Sequence, residues 1–192
     1  LPILARELGF AEEEGLDLDL TRDVTWATVL DRLLYGHTDA AHMLAPLAIA
    51  TTMGIGRPPQ PLAAPFVLGL NGNAITVSND IWDEMKPNVP TMDDGRPQHP
   101  ISASALAPVV EGYKDRGEPF NMGMVFPVST HNYEIRYWLA AGGLKPGYYS
   151  AQDISGQIDA DVLLSVTPPP QMPATMEAGT ISGYAVGEPW NQ

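Results

Sequence analysis

The chain opens with apolar residues at helical spacing, followed by short segments in which apolar and polar residues alternate. The first ten residues repeat apolar positions every three or four residues, which predicts a helix that stops at Gly9. Residues 16–20 (LDLDL) alternate strictly and predict a strand with one apolar face. Thr25 is a good N-cap for a second helix, whose apolar stripe ends before Gly36.

The same interleaving continues up to residue 78. The predicted elements are a short strand at 39–44, a helix at 45–53 with Pro46 in its first turn, a Gly- and Pro-rich loop at 54–61, a buried strand at 62–70, and a strand at 74–78 after the turn Asn71-Gly72-Asn73. Helices that alternate with short buried strands predict an α/β fold with a mostly parallel sheet covered on both faces.

The second half of the chain repeats this alternation of helices and strands. The predicted elements are a surface connector at 86–100, a helix at 102–116 that Pro108 weakens or kinks, a strand at 122–126, a helix from 129 to 142, a surface excursion at 145–157, a strand at 162–166, a short helix at 171–178 and a last strand at 181–186. We therefore expect two lobes: residues 1–78 as an incomplete lobe 1, residues 79–187 as lobe 2, and residues 188–192 as the start of a return toward lobe 1. Because residue 1 falls within a helical pattern and the return toward lobe 1 has only begun at residue 192, we expect the chain to be truncated at both ends.

The strand and helix at 122–143 carry the clearest candidate chemistry. Ser129 and Thr130 are good N-cap residues, Glu134 suggests a capping box, and Gly142-Gly143 suits a helix end. His131 then falls on the first turn, where free backbone N–H groups favour a small anion. The alternative is a solvated helix start without a ligand.

Composition narrows the classes of partner. The 192 residues carry a formal net charge of -13, which argues against nucleic acid and against anionic membrane surfaces. Binding of one small anion depends on local donors and stays open. The chain has no cysteine, which excludes disulfides, thiolate metal sites and a cysteine nucleophile. No run approaches the roughly 20 apolar residues of a transmembrane helix, so we expect no membrane insertion.

Open parallel sheets bind ligands beyond the carboxyl ends of their strands. The residues that follow predicted strands are therefore the cleft candidates: Trp26, 42–46, 71–73, 129–131 and 188–190. Each has a purely structural alternative. Trp26 lies in an apolar helical stripe and could be a core residue, His42 could be a buried hydrogen-bonded histidine, and residues 71–73 could be a plain turn.

Catalysis and metal binding find little support in the sequence. An enzyme would need Ser129 as nucleophile and His131 as base, but residues two apart at a helix start do not face each other. His37 and His42 have no further ligands at supportive spacing. We therefore expect a protein that is not an enzyme, with no catalytic residues, no metal site and no cofactor.

Several motifs, taken together, resemble the nitrate-binding protein family. They are, in chain order, Trp26 at a helix start, DAAHMLAP (39–46), NGNAITV (71–77), TH and IRYWLAAGG (130–131 and 135–143), PPPQM (168–172) and VGEPW (186–190). That family includes the solute-binding components of nitrate/nitrite and bicarbonate ABC transporters. It also includes soluble nitrate/nitrite sensors that control an RNA-binding antiterminator.

The resemblance implies a two-lobed, type II periplasmic-binding-protein-like fold that holds an oxyanion between its lobes. By motif, the family's aromatic wall maps to Trp26, its amide residue to Asn73 and its helix-start histidine to His131, with Thr130 and Gly72 beside them. Transporter members carry Gln at the amide position, so the shorter Asn73 is a departure. A further family residue, basic or, in the bicarbonate branch, acidic with calcium, would fall beyond Gln192.

The resemblance leaves three functions open. The first is a periplasmic component, soluble or membrane-anchored, that delivers nitrate or nitrite to an ABC permease. The second is a cytoplasmic sensor that releases an antiterminator partner when ligand binds. The third is a bicarbonate-binding transport component. All three need a ligand that binds a closed state better than an open one.

Overall fold

The computed structural model describes residues 1–69, 72–148 and 159–191. Its helices are α1 (Pro2–Glu7), α2 (Phe10–Glu13), α3 (Trp26–Leu34), α4 (Ala45–Met53), α5 (Asn79–Met85), α6 (Ala107–Asp115), α7 (Thr130–Ala141) and α8 (Met172–Glu177). Short 3₁₀ turns lie at Lys86–Asn88, Ala103–Ala105 and Pro169–Gln171. The strands are β1 (Asn73–Val77), β2 (Asn121–Met124), β3 (Pro146–Tyr148), β4 (Val162–Val166) and β5 (Gly183–Gly187).

One five-stranded sheet has the order β1-β5-β2-β4-β3. The strands β5, β2, β4 and β3 run parallel, and β1 pairs antiparallel with β5 at one edge. The predicted α/β class with a mostly parallel sheet is confirmed. The antiparallel edge places Asn73, at the start of β1, opposite Gly187, at the end of β5.

Two compact units divide the chain. One comprises residues 1–44 and 48–70, and the other comprises residues 45–47 and 71–192. The sheet and all five strands belong to the second unit. The predicted lobe boundaries (1–78, 79–187 and 188–192) stay a prediction.

The core of the second unit lies between the central strands and their helices. Met122 and Met124 of β2 are fully buried, as is Leu164 of β4. They join one hydrophobic cluster with Ile135 and Leu139 of α7. Met85 and Met172, from α5 and α8, are buried as well. Ile135 and Leu139 pack α7 against the sheet, and this packing fixes the first turn of α7 near the carboxyl ends of β2 and β5.

Three predicted strands of the first unit are wrong. Residues 16–20, 39–44 and 62–69 form no strand, and Leu70 lies outside the described residues. A strand needs a neighbour that completes its backbone hydrogen bonds, and alternation of side chains does not supply one. None of the side chains at 16–20 is buried. Alternation of apolar and polar residues therefore indicated an apolar face, but it did not show whether a second strand lies alongside to pair with the segment.

Other boundaries differ in small ways. Gly9, with φ 78°, separates α1 from α2, as its predicted role as a stop requires. Pro108 opens α6 in its first turn and produces no kink, because a proline there lacks only an N–H that would be free anyway. The excursion predicted at 145–157 contains β3 at its start, and residues 149–157 lie outside the described part.

Candidate functional site

Ser129 builds the entrance to α7. Its hydroxyl is buried, accepts a hydrogen bond from the Asn132 backbone N–H at 3.1 Å and donates one to the Phe126 carbonyl at 2.6 Å. The Asn132 amide in turn donates to the Pro127 carbonyl at 2.8 Å. These bonds tie the loop after β2 to the first turn of α7. The predicted N-cap at Ser129 is confirmed, while the capping box with Glu134 is wrong because Asn132 occupies the N3 position.

His131 lies in that first turn and is only 6% exposed. Among the described residues, its Nδ1 has no hydrogen-bond partner. Burial lowers the pKa of His131 below 6.5 because desolvation disfavours the charged imidazolium. At neutral pH the ring is therefore uncharged and offers one N–H donor and one acceptor. A buried polar atom without a partner is unusual, and a ligand would satisfy it.

Gly187 lies beside His131 and carries no side chain of its own. A Cβ added at Gly187 would lie 3.3 Å from Asn73 Oδ1, 3.6 Å from His131 Nε2 and 3.9 Å from the Gly72 carbonyl oxygen. We call the position of that Cβ the Gly187 notch. The end of β5, the start of β1 and the first turn of α7 therefore meet at one edge of the sheet. Three of the predicted ligand residues, Gly72, Asn73 and His131, come together there.

Gly72 holds its place through its backbone. Its φ of 108° favours glycine, and its carbonyl accepts from the Glu188 N–H at 2.8 Å and from the Asn191 side chain at 3.4 Å. The Asn191 amide also donates to the Val186 carbonyl at 2.8 Å. These bonds fix Gly72 at the start of β1. The turn predicted at 71–73 includes Asn71, which lies outside the described residues, and it stays a prediction.

The Asn73 side chain is held by a carboxylate. Its Nδ2 donates to Glu134 Oε2 at 3.0 Å, and both residues are exposed. Sequence reasoning missed this contact because 61 positions separate the two residues. It also missed the notch at Gly187, which depends on the antiparallel pairing of β1 with β5. No local pattern carried either signal.

Thr130 and Trp26 complete the predicted set. Thr130 is the half-buried first residue of α7, next to His131. Trp26 opens α3 in the first unit, where Thr25 caps the helix by accepting from the Thr28 N–H at 3.2 Å. The half-buried Trp26 ring meets the His42 ring edge-to-face, with centroids 6.0 Å apart. The indole is therefore neither fully in a core nor fully exposed.

Three further observations concern catalysis, metal binding and membrane insertion. The Ser129 hydroxyl is engaged by the two backbone groups of its loop and turn, so its observed role is that of a cap. Residues 1–69, 72–148 and 159–191 contain no cluster of three His, Cys, Asp or Glu side chains that could hold a metal ion. Within the same ranges, no helix is both long and apolar enough to cross a membrane.

A family model described as the NMT1-like family matches residues 1–192. The chain belongs to the NMT1-like family. Among curated relatives, this NMT1-like chain is 34% identical over 194 residues to the nitrate import ATP-binding protein NrtC of Synechocystis sp.. It is 35% identical over 191 residues to the bicarbonate transport ATP-binding protein CmpC of Synechococcus elongatus. Both alignments cover 98% of the chain, but only 24% of NrtC and 25% of CmpC.

A solved structure gives the same relationship. The NMT1-like chain matches the periplasmic nitrate-binding protein NrtA from Synechocystis PCC 6803 with a TM-score of 0.73 and 29% identity. The match covers 98% of this chain and 44% of NrtA. The predicted periplasmic-binding-protein-like fold and the predicted family resemblance are both confirmed. The chain spans about a quarter of the curated relatives named above and less than half of NrtA.

Proposed function

We propose that this NMT1-like chain belongs to a solute-binding protein that binds nitrate or nitrite and delivers it to an ABC permease. The observation that carries the proposal is the buried His131, whose Nε2 lies beside the Gly187 notch and Asn73 and whose Nδ1 has no hydrogen-bond partner among the described residues. The relatives support it, because NrtC and NrtA are named for nitrate import and nitrate binding.

The donors in the first turn of α7 fit a flat oxyanion. Nitrate is planar, carries one negative charge and has only acceptor oxygens. The imidazole N–H of His131 can donate to one oxygen, and the free backbone N–H groups at the start of α7 favour the negative charge. Because His131 is uncharged at neutral pH, recognition rests on these oriented donors. Binding of this kind requires no bond to be made or broken, so we propose a protein without catalytic activity.

The other predicted ligand residues keep assigned roles in the proposal. Asn73 offers an amide group, Gly72 shapes the turn that presents it, and Thr130 contributes the first turn of α7. For Trp26, the family resemblance supports a role as an aromatic wall. The periplasm is the proposed compartment because NrtA is described as periplasmic.

Bicarbonate is the second candidate ligand. It is supported by the 35% identity to CmpC, which is named for bicarbonate transport. NrtC and CmpC are named for import and transport, and NrtA is named as a periplasmic nitrate-binding protein. We therefore propose transport, and not sensing, as the function.

Calorimetric titration of the full-length protein tests this function. Nitrate, nitrite, sulfate, and bicarbonate with and without calcium would each be titrated separately. We expect binding of nitrate or nitrite, and His131→Ala to weaken it by about 1–3 kcal/mol through loss of a hydrogen bond to a charged ligand. His37→Ala, which removes an exposed histidine of the first unit, is the control. Silence toward all the anions would overturn the proposal, and binding of bicarbonate alone would favour the second candidate.

A further inference from the structure

Glu134 places a carboxylate beside the candidate site. It lies on α7 three residues after His131, and its Oε2 accepts the hydrogen bond from Asn73 Nδ2 at 3.0 Å. A carboxylate next to an anion site repels the ligand, so its presence there calls for another role. Its one described partner in this region is the Asn73 amide, so the effect is to be sought there.

The contact fixes which end of the amide faces the site. An ionised carboxylate has no proton and only accepts hydrogen bonds, so Asn73 must turn its NH₂ group toward Glu134. The amide oxygen then faces the other way, toward the Gly187 notch, where a Cβ would lie 3.3 Å from it. The notch is thus bordered by an acceptor, Asn73 Oδ1, and by the ring nitrogen Nε2 of His131.

We infer that Glu134 is a specificity-determining residue, which lowers the affinity for nitrate and nitrite relative to bicarbonate by holding the Asn73 amide oxygen toward the Gly187 notch. This inference rests on the proposed oxyanion site. Nitrate and nitrite have only acceptor oxygens, and an acceptor placed against Asn73 Oδ1 leaves both oxygens without a proton between them. Bicarbonate carries one O–H group, which can donate to that oxygen.

Charge repulsion does not explain such discrimination. Nitrate and bicarbonate each carry one negative charge, so repulsion from the Glu134 carboxylate weakens both to a similar degree. The ratio of their affinities therefore reports the hydrogen-bond pattern at the notch, while the absolute affinities report the charge. The two effects of Glu134 are separable in one set of measurements.

The substitution Glu134→Gln tests the inference. A glutamine amide can either donate or accept, so it no longer dictates the orientation of Asn73. Affinities for nitrate and bicarbonate would be measured by calorimetry on the full-length protein, in a buffer basic enough to keep bicarbonate as the main carbonate species. We expect the nitrate-to-bicarbonate affinity ratio to rise about tenfold, the usual effect of removing one mismatched polar contact.

Two further variants separate orientation from charge. Glu111→Gln removes an exposed carboxylate of α6, and we expect it to leave the ratio unchanged. In an Asn73→Ala background, Glu134→Gln should not change the ratio further, because the amide that Glu134 orients is gone.

The failures of the two proposals are distinguishable. If the wild-type protein binds none of the anions, the oxyanion site is wrong and the inference falls with it. If the wild type binds an anion but Glu134→Gln leaves the ratio unchanged, or Glu111→Gln raises it equally, the inference alone is overturned. Because Glu134 is exposed, circular dichroism should show its variant folded, and Glu134→Ala provides a second variant that also releases Asn73.

Discussion

Two glycines of β5 show how much depends on a single position. A Cβ at Gly183 would lie 2.6 Å from the backbone carbonyl of Thr76, a contact that β1 must move to relieve. A Cβ at Gly187 would meet side-chain atoms at 3.3 Å or more, which small shifts can accommodate. The first glycine is therefore required by strand packing. The second keeps a side chain away from the polar atoms of Asn73 and His131.

Gly187→Ala should retain the fold and lose at least about tenfold in oxyanion affinity, because the added methyl group occupies the notch between Asn73 and His131. Gly183→Ala is the matched control and should lower the stability by about 1–3 kcal/mol through overpacking. Thermal unfolding and calorimetry measure the two effects. Unchanged anion affinity in Gly187→Ala would remove the notch from the binding site.

His131 makes the stability depend on pH in a defined direction. Burial holds its pKa in the folded protein below the ordinary value of 6.5, which the unfolded chain regains. Between these two values the unfolded state binds more protons, so stability rises with pH there. This contribution is complete above about pH 6.5 and is lost as the pH falls toward the folded pKa.

Denaturant titrations at several pH values check this direction. From about pH 7 to about pH 5, the wild type should lose stability more steeply than His131→Gln, which cannot take up the proton. Both proteins share every other titrating group. Equal slopes in the two proteins would show that His131 accepts a proton as readily when folded as when unfolded.

At the scale of elements, the start of α7 is held by more hydrogen bonds from its capping side chain than the start of α5 in the same unit. The Ser129 hydroxyl is buried and makes two hydrogen bonds, whereas Ser78, which caps α5, accepts one from the Ile81 N–H at 3.4 Å. Loss of a buried hydroxyl leaves its backbone partners unsatisfied. The two serines thus offer a comparison of one cap chemistry in two settings.

Ser129→Ala should therefore cost about 1–3 kcal/mol of unfolding free energy, and Ser78→Ala about 1 kcal/mol or less. Because Ser129 also fixes the loop that presents His131, its variant should weaken oxyanion binding, while Ser78→Ala should not. Urea denaturation and anion titration of both variants provide the test. An equal loss in the two variants would mean that burial of Ser129 adds nothing to its cap.

Sequence patterns predicted the bounds of those elements whose ends are marked within the segment itself. The helix at 45–53 and the strand at 162–166 have the predicted bounds, since Pro46 and Gly54 frame the first and an apolar run defines the second. The strands expected at 16–20, 39–44 and 62–70 failed because pairing is not a local property. Alternation describes one segment alone, and the partner must come from elsewhere in the chain.

The candidate site divides in the same way. His131 could be placed from the sequence, because a strand, a serine cap and a helix follow one another within a few residues. Glu134 was visible as a helix residue, but its bond to Asn73 spans two elements that meet only in the folded sheet. Gly187 gained meaning only through its pairing with Asn73. Contacts between distant elements are therefore the part that sequence patterns could not supply.

At the scale of the chain as a whole, its 192 residues carry a formal net charge of -13, which opposes an anionic ligand. His131 is uncharged at neutral pH, so it does not offset that field. Repulsion between the protein and nitrate should slow the encounter, and salt screens it over about 10 Å at 0.1 M ionic strength.

For a site whose field is set by these 192 residues, the association rate of nitrate should rise as a non-binding salt is added, the reverse of what a cationic site would show. Stopped-flow tryptophan fluorescence of the full-length protein can follow this rate. A neutral osmolyte at matched viscosity is the control. A rate that falls with salt would point to an attractive cationic group at the site.

The buried methionines of the second unit make the rate of peroxide oxidation a measure of how often the sheet opens. Met122 and Met124 of β2 are inaccessible in the folded state, whereas Met53 in the first unit is 67% exposed. Peroxide oxidises exposed thioethers first, and the buried pair reacts only when the sheet opens. A ligand that binds the folded unit reduces that opening. The mass of the peptide containing Met122 and Met124, followed over time in peroxide, would therefore report anion binding without any label.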